Sequence, residues 1–292
     1  MTMFEGCLTA LITPFKDGAV DMPALTTLVE TQIAAGIHGL VPCGSTGESA
    51  TLSHDEHEAV VQAVIRVARK RVPVIAGTGS NSTSEALRLT KAAQDAGADG
   101  ALLISPYYNK PTQDGIVAHY AAVSQATSIP LIAYNIQGRT ASNITAETMV
   151  RLAQIPRLIG VKEASGSVAQ TCDIIEMCGP AFGVWSGDDS VTLPIMAAGG
   201  CGVITVTANL VPERMVALTQ AMLAGDLTTA RREHLRLLPL FRALFLEVNP
   251  IGIKTALAMR GQCQEEFRLP LTRMTEKHRE TLHATLHEQG LV

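Results

Sequence analysis

The stretch Leu158-Ile159-Gly160-Val161-Lys162-Glu163-Ala164 is a short apolar run with a charged end. Its residues favour a buried strand, because the apolar positions are continuous rather than alternating with polar ones. Seven further runs of this kind lie along the chain, each bounded by Gly, Pro, Asn or Ser: 7–13, 39–44, 73–79, 100–106, 130–135, 182–187 and 202–208. Together the runs predict eight parallel strands that are buried on both faces.

The segments between these runs are rich in Ala and Leu and predict helices. Ser53-His54-Asp55-Glu56 is typical of a helix start, with Glu56 three residues after Ser53. Eight strand–helix units in 292 residues predict an α/β fold, a (β/α)8 TIM barrel over residues 1–224. A doubly wound sheet is the alternative, but it predicts a glycine-rich turn after the first strand, which residues 13–18 lack.

The residues that follow the predicted barrel exceed what one closing helix needs. Helical patterns at 227–248, 250–260 and 275–289 predict a small C-terminal helical extension over residues 225–292.

The composition restricts the function and the cellular location. The formal net charge is −4 and no basic stripe is present, which argues against a nucleic-acid partner. The start of the chain lacks the pattern of a secretory signal, and no apolar run has the length of a membrane span. The six cysteines form no CxxC pair. We therefore expect a cytoplasmic protein with reduced thiols and no membrane partner.

Polar residues follow the predicted strands at the end where TIM barrels carry their chemistry. Ser45 and Thr46 follow the second strand, Tyr134 ends the fifth and Lys162 lies at the end of the sixth. Burial would lower the pKa of Lys162, and a neutral amine can attack a ketone to form an imine. The alternatives are a lysine that reaches solvent or pairs with Glu163, and hydroxyls that only cap a helix.

This set of residues suits one reaction class. An imine on lysine acidifies a neighbouring C–H, a tyrosine hydroxyl can transfer protons, and Arg139 can bind a carboxylate bidentately. No HxH or HExxH spacing occurs, so we expect no metal. The residues therefore predict a 2-oxo-acid aldolase or lyase without a cofactor.

Gly44-Ser45-Thr46-Gly47-Glu48, Tyr134-Asn135 and Gly160-Val161-Lys162-Glu163-Ala164 resemble the dihydrodipicolinate synthase / N-acetylneuraminate lyase family over essentially the whole chain. The resemblance implies condensation of pyruvate with L-aspartate 4-semialdehyde in lysine and diaminopimelate biosynthesis. One alternative is a lyase that acts on N-acetylneuraminate or a 2-keto-3-deoxy sugar acid. Another is a non-catalytic ligand-binding relative, which would be expected to lose Lys162 or Tyr134.

The resemblance also implies residue roles. Lys162 would form the Schiff base, and the proton relay would contain Tyr134, Ser45 and Tyr108, with Tyr108 supplied by a neighbouring subunit. Arg139 would bind the semialdehyde carboxylate. The remaining substrate-binding residues would be Thr46, Ile204 and Gly187.

The family is usually a tetramer built as a dimer of dimers, and L-lysine inhibits some members at the tight-dimer interface. The matching positions are Ser49, Ala50, His54, His57, Asn81, Glu85 and Tyr107. The alternative for the two histidines is a solvated first helical turn.

Two positions depart from the family pattern. Ser45 stands where most synthases carry threonine, and it keeps the hydroxyl. Gln137-Gly138 stands where proline is usual at position 137, which predicts a looser loop before Arg139.

Overall fold

Eight parallel strands form one sheet that closes into a barrel in the computed structural model, which describes residues 4–292. The two outermost strands of this sheet are joined by a single parallel bridge between Leu40 and Val74, which closes the barrel. The predicted (β/α)8 barrel is confirmed, although residues 1–3 lie outside the described residues. The strands are β1 (Gly6–Ala10), β2 (Gly39–Val41), β3 (Ile75–Gly77), β4 (Gly100–Ile104), β5 (Leu131–Asn135), β6 (Leu158–Glu163), β7 (Gly183–Ser186) and β8 (Gly202–Thr205).

Helices connect the strands, and three more follow the last barrel helix. The predicted start at Ser53 is present, because its hydroxyl accepts the Glu56 N–H and the Glu56 carboxylate accepts the Ser53 N–H. The helices are α1 (Met22–Ala34), α2 (His54–Ala68), α3 (Thr83–Asp95), α4 (Gln113–Ala126), α5 (Gln137–Thr140), α6 (Ala146–Ala153), α7 (Val168–Cys178), α8 (Thr192–Ala197), α9 (Pro212–Leu223), α10 (Leu227–Leu244), α11 (Ile251–Met259) and α12 (Glu276–Glu288).

The barrel interior is filled by large apolar side chains rather than left as a channel. Trp185 on β7 is fully buried there, and its indole N–H donates to the Phe4 carbonyl at 2.7 Å. Gly160 on the neighbouring strand β6 leaves room for this ring, since a Cβ at that position would lie 2.6 Å from it. The other interior residues include Leu8, Val41, Ile75, Leu102, Ile132 and Ile204.

The C-terminal helices α10, α11 and α12 pack into the same apolar core as the outer helices of the barrel. Phe241 and Leu282 from the extension share that core with Val29 of α1 and Met215 of α9. We propose the boundary between barrel and extension at residues 224 and 225, in the turn between α9 and α10. A short hairpin, Phe15–Lys16 with Ala19–Val20, was not predicted.

A buried ion pair joins the extension to the barrel. The Lys254 Nζ of α11 lies 2.6 Å from the Glu48 Oε1, and both side chains are fully buried. The Arg268 N–H also donates to the Glu48 carboxylate, and the Lys254 ammonium lies 4.2 Å from the centre of the Phe15 ring. Glu48 has a left-handed backbone with φ of 52°. The loop that follows β2 is therefore held by residues near the other end of the chain.

Candidate active site

Lys162 lies at the carboxyl end of β6 and is 5% exposed. It pairs in register with Tyr134 on β5, and its Nζ lies 4.4 Å from the centre of the Tyr134 ring. Burial lowers the pKa of Lys162 to about 8, with the Arg139 charge acting in the same direction and Asp189 opposing both. A lysine with this pKa supplies a useful fraction of neutral amine near neutral pH.

Tyr134 is the hydroxyl-bearing residue that pairs with Lys162 in the strand register. Burial raises the pKa of Tyr134 to about 12, whereas the Arg139 charge and hydrogen bonding with Ser45 act in the opposite direction. The phenol therefore stays protonated at neutral pH, and it can donate a proton or accept one from a bound molecule. Ser45 lies in the 3-10 turn that follows β2 and hydrogen-bonds with Tyr134, so the structure brings Ser45 to the tyrosine that lies against Lys162.

Gly187 packs against the lysine, and Ile204 lies in the barrel interior. Gly187 follows β7, and its N–H donates to the Glu163 carbonyl at 2.7 Å. A Cβ at Gly187 would lie 3.0 Å from the Lys162 Cγ, so the glycine lets the chain pack against the lysine stem. Ile204 on β8 is fully buried in the barrel interior. Gly187 thus borders the lysine, and Ile204 belongs to the same interior apolar cluster as Tyr134.

Thr46 and Arg139 are joined by one residue of the extension. Thr46 is buried, and its Oγ1 accepts a hydrogen bond from the Asn249 Nδ2 at 3.0 Å. Arg139 lies in the single turn α5 with an exposed side chain, and its guanidinium donates to the Asn249 carbonyl at 2.8 Å. Asn249 was not among the predicted site residues.

A cavity of about 390 Å³ opens beside these groups. Ser45, Tyr134, Arg139 and Asn249 line one part of it. Lys162 lies directly behind this lining, with its Nζ against the Tyr134 ring.

Tyr108 lies apart from this group. Its side chain is 89% exposed, and its backbone is left-handed with φ of 69°. Among residues 4–292, no hydrogen bond from another residue reaches its hydroxyl. The structure of this single chain therefore does not bring Tyr108 to Tyr134.

The same cavity extends to most of the residues predicted to bind an effector. His54 contacts Glu85 at 2.8 Å, and the hydrogen bonds of Ser80 and His54 lower the pKa of Glu85. His57 is buried against the Gly77 carbonyl, and burial lowers its pKa, whereas His54 is exposed. Ser49, Ala50 and Tyr107 complete this part of the lining.

Asn81 lies outside the cavity lining but is connected to it. Its side-chain amide donates to the Tyr107 carbonyl at 3.2 Å, and the Asn109 amide donates to the Asn81 carbonyl at 2.9 Å. These two bonds hold the segment that carries Tyr107 and Tyr108.

The sequence did not identify Asp189 as a neighbour of Lys162. Asp189 is buried, and its carboxylate accepts hydrogen bonds from the N–H and the hydroxyl of Thr207 at 2.8 and 2.6 Å. Burial raises the pKa of Asp189. The Ser186-Gly187-Asp188-Asp189 stretch after β7 was the available signal, but its adjacent carboxylates do not indicate which of them turns inward.

Residues 4–292 contain no cluster of three or more His, Cys, Asp or Glu side chains that could hold a metal ion. In the same residues, no helix is both long enough and apolar enough to cross a membrane.

Comparison with known proteins gives consistent matches over the whole chain. The model of the dihydrodipicolinate synthetase family matches residues 3–289. A 4-hydroxy-tetrahydrodipicolinate synthase of Syntrophus aciditrophicus is 53% identical over 290 residues, covering 99% of this chain and 100% of that protein. The enzyme of the same name from Geobacter sulfurreducens is 52% identical with the same coverage.

Solved structures agree with these matches. The chloride-inhibited dihydrodipicolinate synthase of Acinetobacter baumannii, complexed with pyruvate, has a TM-score of 0.98 at 44% identity, covering 99% of this chain and 100% of that chain. The enzyme of Cyanidioschyzon merolae with lysine bound has a TM-score of 0.97 at 38% identity, and both chains are covered completely. A monomeric dihydrodipicolinate synthase variant has a TM-score of 0.98 at 40% identity, covering 99% of this chain and 98% of that chain.

Proposed function

The chain belongs to the dihydrodipicolinate synthetase family, and we propose that it is a lyase, 4-hydroxy-tetrahydrodipicolinate synthase. It condenses pyruvate with L-aspartate 4-semialdehyde to 4-hydroxy-tetrahydrodipicolinate. Relatives at about 50% identity carry this name, and a similar structure holds pyruvate. The observation that carries the mechanism is the buried Lys162 amine against Tyr134, with a pKa lowered to about 8.

Lys162 would act first as a nucleophile. Its neutral amine attacks the pyruvate ketone, water leaves, and the resulting imine draws electrons from the methyl group. Loss of a methyl proton gives an enamine. The enamine carbon attacks the aldehyde carbon, and the aldehyde oxygen takes up a proton and becomes a hydroxyl group. The amino group of the second substrate then attacks the imine carbon and displaces Lys162, which closes the ring. Tyr134 and Ser45 would move protons in these steps, since Tyr134 lies against the amine and Ser45 hydrogen-bonds with Tyr134.

Borohydride trapping tests this function. With pyruvate, we expect a reduced adduct on Lys162 in the mass spectrum of the digested protein. Addition of L-aspartate 4-semialdehyde before the borohydride should discharge the adduct into a cyclic product. An adduct that the semialdehyde leaves in place would contradict the substrate assignment, and it would favour a sugar-derived aldehyde instead. Absence of any adduct would contradict the Schiff-base mechanism and favour a non-catalytic relative.

The same trapping reaction should depend on pH. Since the Lys162 pKa is about 8, the initial trapping rate should rise about tenfold per pH unit below 8 and level off above it. At pH 7 about one amine in ten is then neutral, whereas an ordinary lysine would supply fewer than about one in a thousand. Trapping with cyanoborohydride across pH 6 to 10, about two units on either side of the pKa, measures this profile. A rate that still rises above pH 9, about one unit past the pKa, would contradict the lowered pKa.

Arg139 would bind the carboxylate of the semialdehyde. A charge-assisted hydrogen bond to a carboxylate contributes about 1.5–3 kcal/mol, so Arg139→Ala should raise the semialdehyde KM roughly 10- to 100-fold. The pyruvate KM should change little. Arg139→Lys is the matched control, because it keeps the charge but loses the bidentate geometry. Its semialdehyde KM should lie between those of the wild type and Arg139→Ala. An unchanged semialdehyde KM in Arg139→Ala would remove this role.

We propose that the working enzyme is at least a dimer in which the partner supplies Tyr108, within a tetramer arranged as a dimer of dimers. The support is that Tyr108 is 89% exposed and does not line the cavity that Tyr134 lines, so within one chain it does not reach the relay that the family resemblance assigns to it. Subunit complementation tests it. Tyr108→Phe and Lys162→Ala chains are each expected to be inactive, but a mixed dimer contains one intact site. Mixing should restore up to about a quarter of the wild-type activity per chain. If subunit exchange is confirmed and activity does not recover, the proposal that the partner supplies Tyr108 is contradicted. Light scattering measures the size of the assembly.

We propose that L-lysine inhibits the enzyme by binding at the predicted effector residues. The support is the lysine-bound relative and the ionised Glu85, whose carboxylate could pair with an ammonium group. Lysine titration of the reaction rate tests it. Inhibition should weaken at least about tenfold in Glu85→Gln, since a charge-assisted contact is lost. Equal inhibition of both proteins would place the lysine elsewhere.

We also propose a cytoplasmic location. Within residues 4–292 none of the six cysteines is in a disulfide bond, which suits a reducing compartment. Fractionation of cells that express the protein checks this, and recovery from an exported fraction would contradict it.

A further inference from the structure

Asn249 occupies an unusual position at the edge of the cavity. It belongs to the loop between α10 and α11, it is buried, and its side chain and backbone serve two different residues. The side-chain amide donates to the Thr46 hydroxyl, and the backbone carbonyl accepts from the Arg139 guanidinium. Its Oδ1 is buried without a hydrogen-bond partner among the described residues.

The direction of the Asn249–Thr46 hydrogen bond determines what the threonine can do. An amide nitrogen only donates, so the Thr46 oxygen must accept, and its own proton remains available. Within residues 4–292, no hydrogen bond donated by the Thr46 hydroxyl to another residue occurs. A carboxylate is an acceptor only, and it therefore matches this free proton.

We infer that Asn249 is a positioning residue for substrate carboxylates. Its side chain turns the Thr46 hydroxyl proton toward the carboxylate of pyruvate, and its backbone carbonyl fixes the guanidinium of Arg139. This inference rests on the proposed function, because that function supplies the two carboxylates. A side-chain substitution removes only the first of the two contacts, so the roles can be separated experimentally.

Asn249→Asp and Asn249→Ala form a matched pair. Aspartate has nearly the shape of asparagine, but at neutral pH it only accepts hydrogen bonds, so it captures the Thr46 proton and adds a negative charge. Alanine leaves the hydroxyl free but undirected. We expect the pyruvate KM to rise about 3- to 10-fold in Asn249→Ala and at least about 50-fold in Asn249→Asp. In Asn249→Ala the semialdehyde KM and kcat should change less than about threefold, because the backbone contact with Arg139 remains.

A double-mutant cycle separates positioning from a loss of structure. If Asn249 acts through the threonine hydroxyl, Asn249→Ala should add nothing to Thr46→Val, and the pyruvate KM of the double variant should equal that of Thr46→Val. Additive effects, or equal effects of Asn249→Ala and Asn249→Asp, would overturn the inference. Thermal unfolding identifies a variant that fails to fold. If an Asn249 variant fails to fold, Thr46→Val alone still tests the inference, because its pyruvate KM must then rise at least about 3- to 10-fold, the increase expected for Asn249→Ala.

Failure of this inference can be distinguished from failure of the proposed function. If the wild-type protein forms no pyruvate adduct with borohydride, the proposed function fails first. If the adduct forms and its pyruvate dependence is the same in the wild type and both Asn249 variants, only the positioning role is overturned.

Discussion

Lys162→Ala should lose condensation activity by at least about 10⁴-fold, because no other amine can take over the imine. Among the described residues, Lys162 is the lysine that lies at Tyr134, and the other buried lysine, Lys254, is engaged with Glu48. Without the covalent intermediate the methyl group of pyruvate keeps its low acidity. Binding and electrostatic contacts alone then provide little acceleration. The rate of semialdehyde consumption with pyruvate measures this effect.

Two controls make the Lys162 experiment decisive. Lys162→Arg keeps a cation but cannot form an imine under these conditions, so it should be as inactive as Lys162→Ala. Lys70→Ala removes an exposed lysine whose only ion pair among the described residues is with Asp99, and this variant should keep full activity. Folding of Lys162→Ala is checked by circular dichroism. Turnover by Lys162→Ala above about 1% of the wild-type rate would contradict the Schiff-base mechanism.

Lys254→Met should reduce the free energy of unfolding by about 3–5 kcal/mol, because it leaves the Glu48 carboxylate buried without its cation. The Lys254 Nζ and the Glu48 Oε1 are 2.6 Å apart, and both side chains are buried, so solvent compensates little for the lost partner. The backbone N–H of Arg268 still donates a hydrogen bond to the Glu48 carboxylate, but a backbone amide does not neutralise the carboxylate charge. Urea unfolding measures the loss. Activity should also fall, since Glu48 follows the Ser45–Gly47 turn directly.

The double variant Glu48→Gln/Lys254→Met is the test of cause. Removing both charges should recover more than half of the lost stability, because no unpaired charge then stays buried. The exposed pair Lys70–Asp99 provides the matched surface control, and Lys70→Met should cost less than about 1 kcal/mol. If Lys254→Met costs no more than Lys70→Met, the pair does not hold the loop as described.

The fold could be predicted from the sequence because the strand segments are continuous apolar runs with glycine or proline at their ends. The strand ends were less predictable. Residues 202–208 looked β-rich throughout, but the strand ends at Thr205 and the chain turns at Thr207–Asn209. The Asn209 side chain stabilises this turn with bonds to the Ala10 carbonyl and the Ile12 N–H. Such long-range bonds leave no local signal in the sequence.

The candidate site shows the same division. Lys162 and Tyr134 could be predicted because each lies next to the last residue of its strand, and parallel strands bring their carboxyl ends to one edge. Asn249 lies 203 residues from Thr46, and Lys254 lies 206 residues from Glu48. Their pairing depends on where the extension docks, which local patterns do not encode. The assigned roles of the site residues remain predictions.

The buried Glu48–Lys254 pair and the Asn249 contacts have a consequence for the timing of synthesis. A nascent chain is made from its N-terminus, so strands, helices and the Lys162 segment leave the ribosome well before residues 249–268. The loop after β2 has no cation for Glu48 during that interval, and Thr46 has no Asn249 beside it. A partly made chain therefore carries Lys162 but lacks an ordered pocket, and the site is complete only after residues 249–268 have been made.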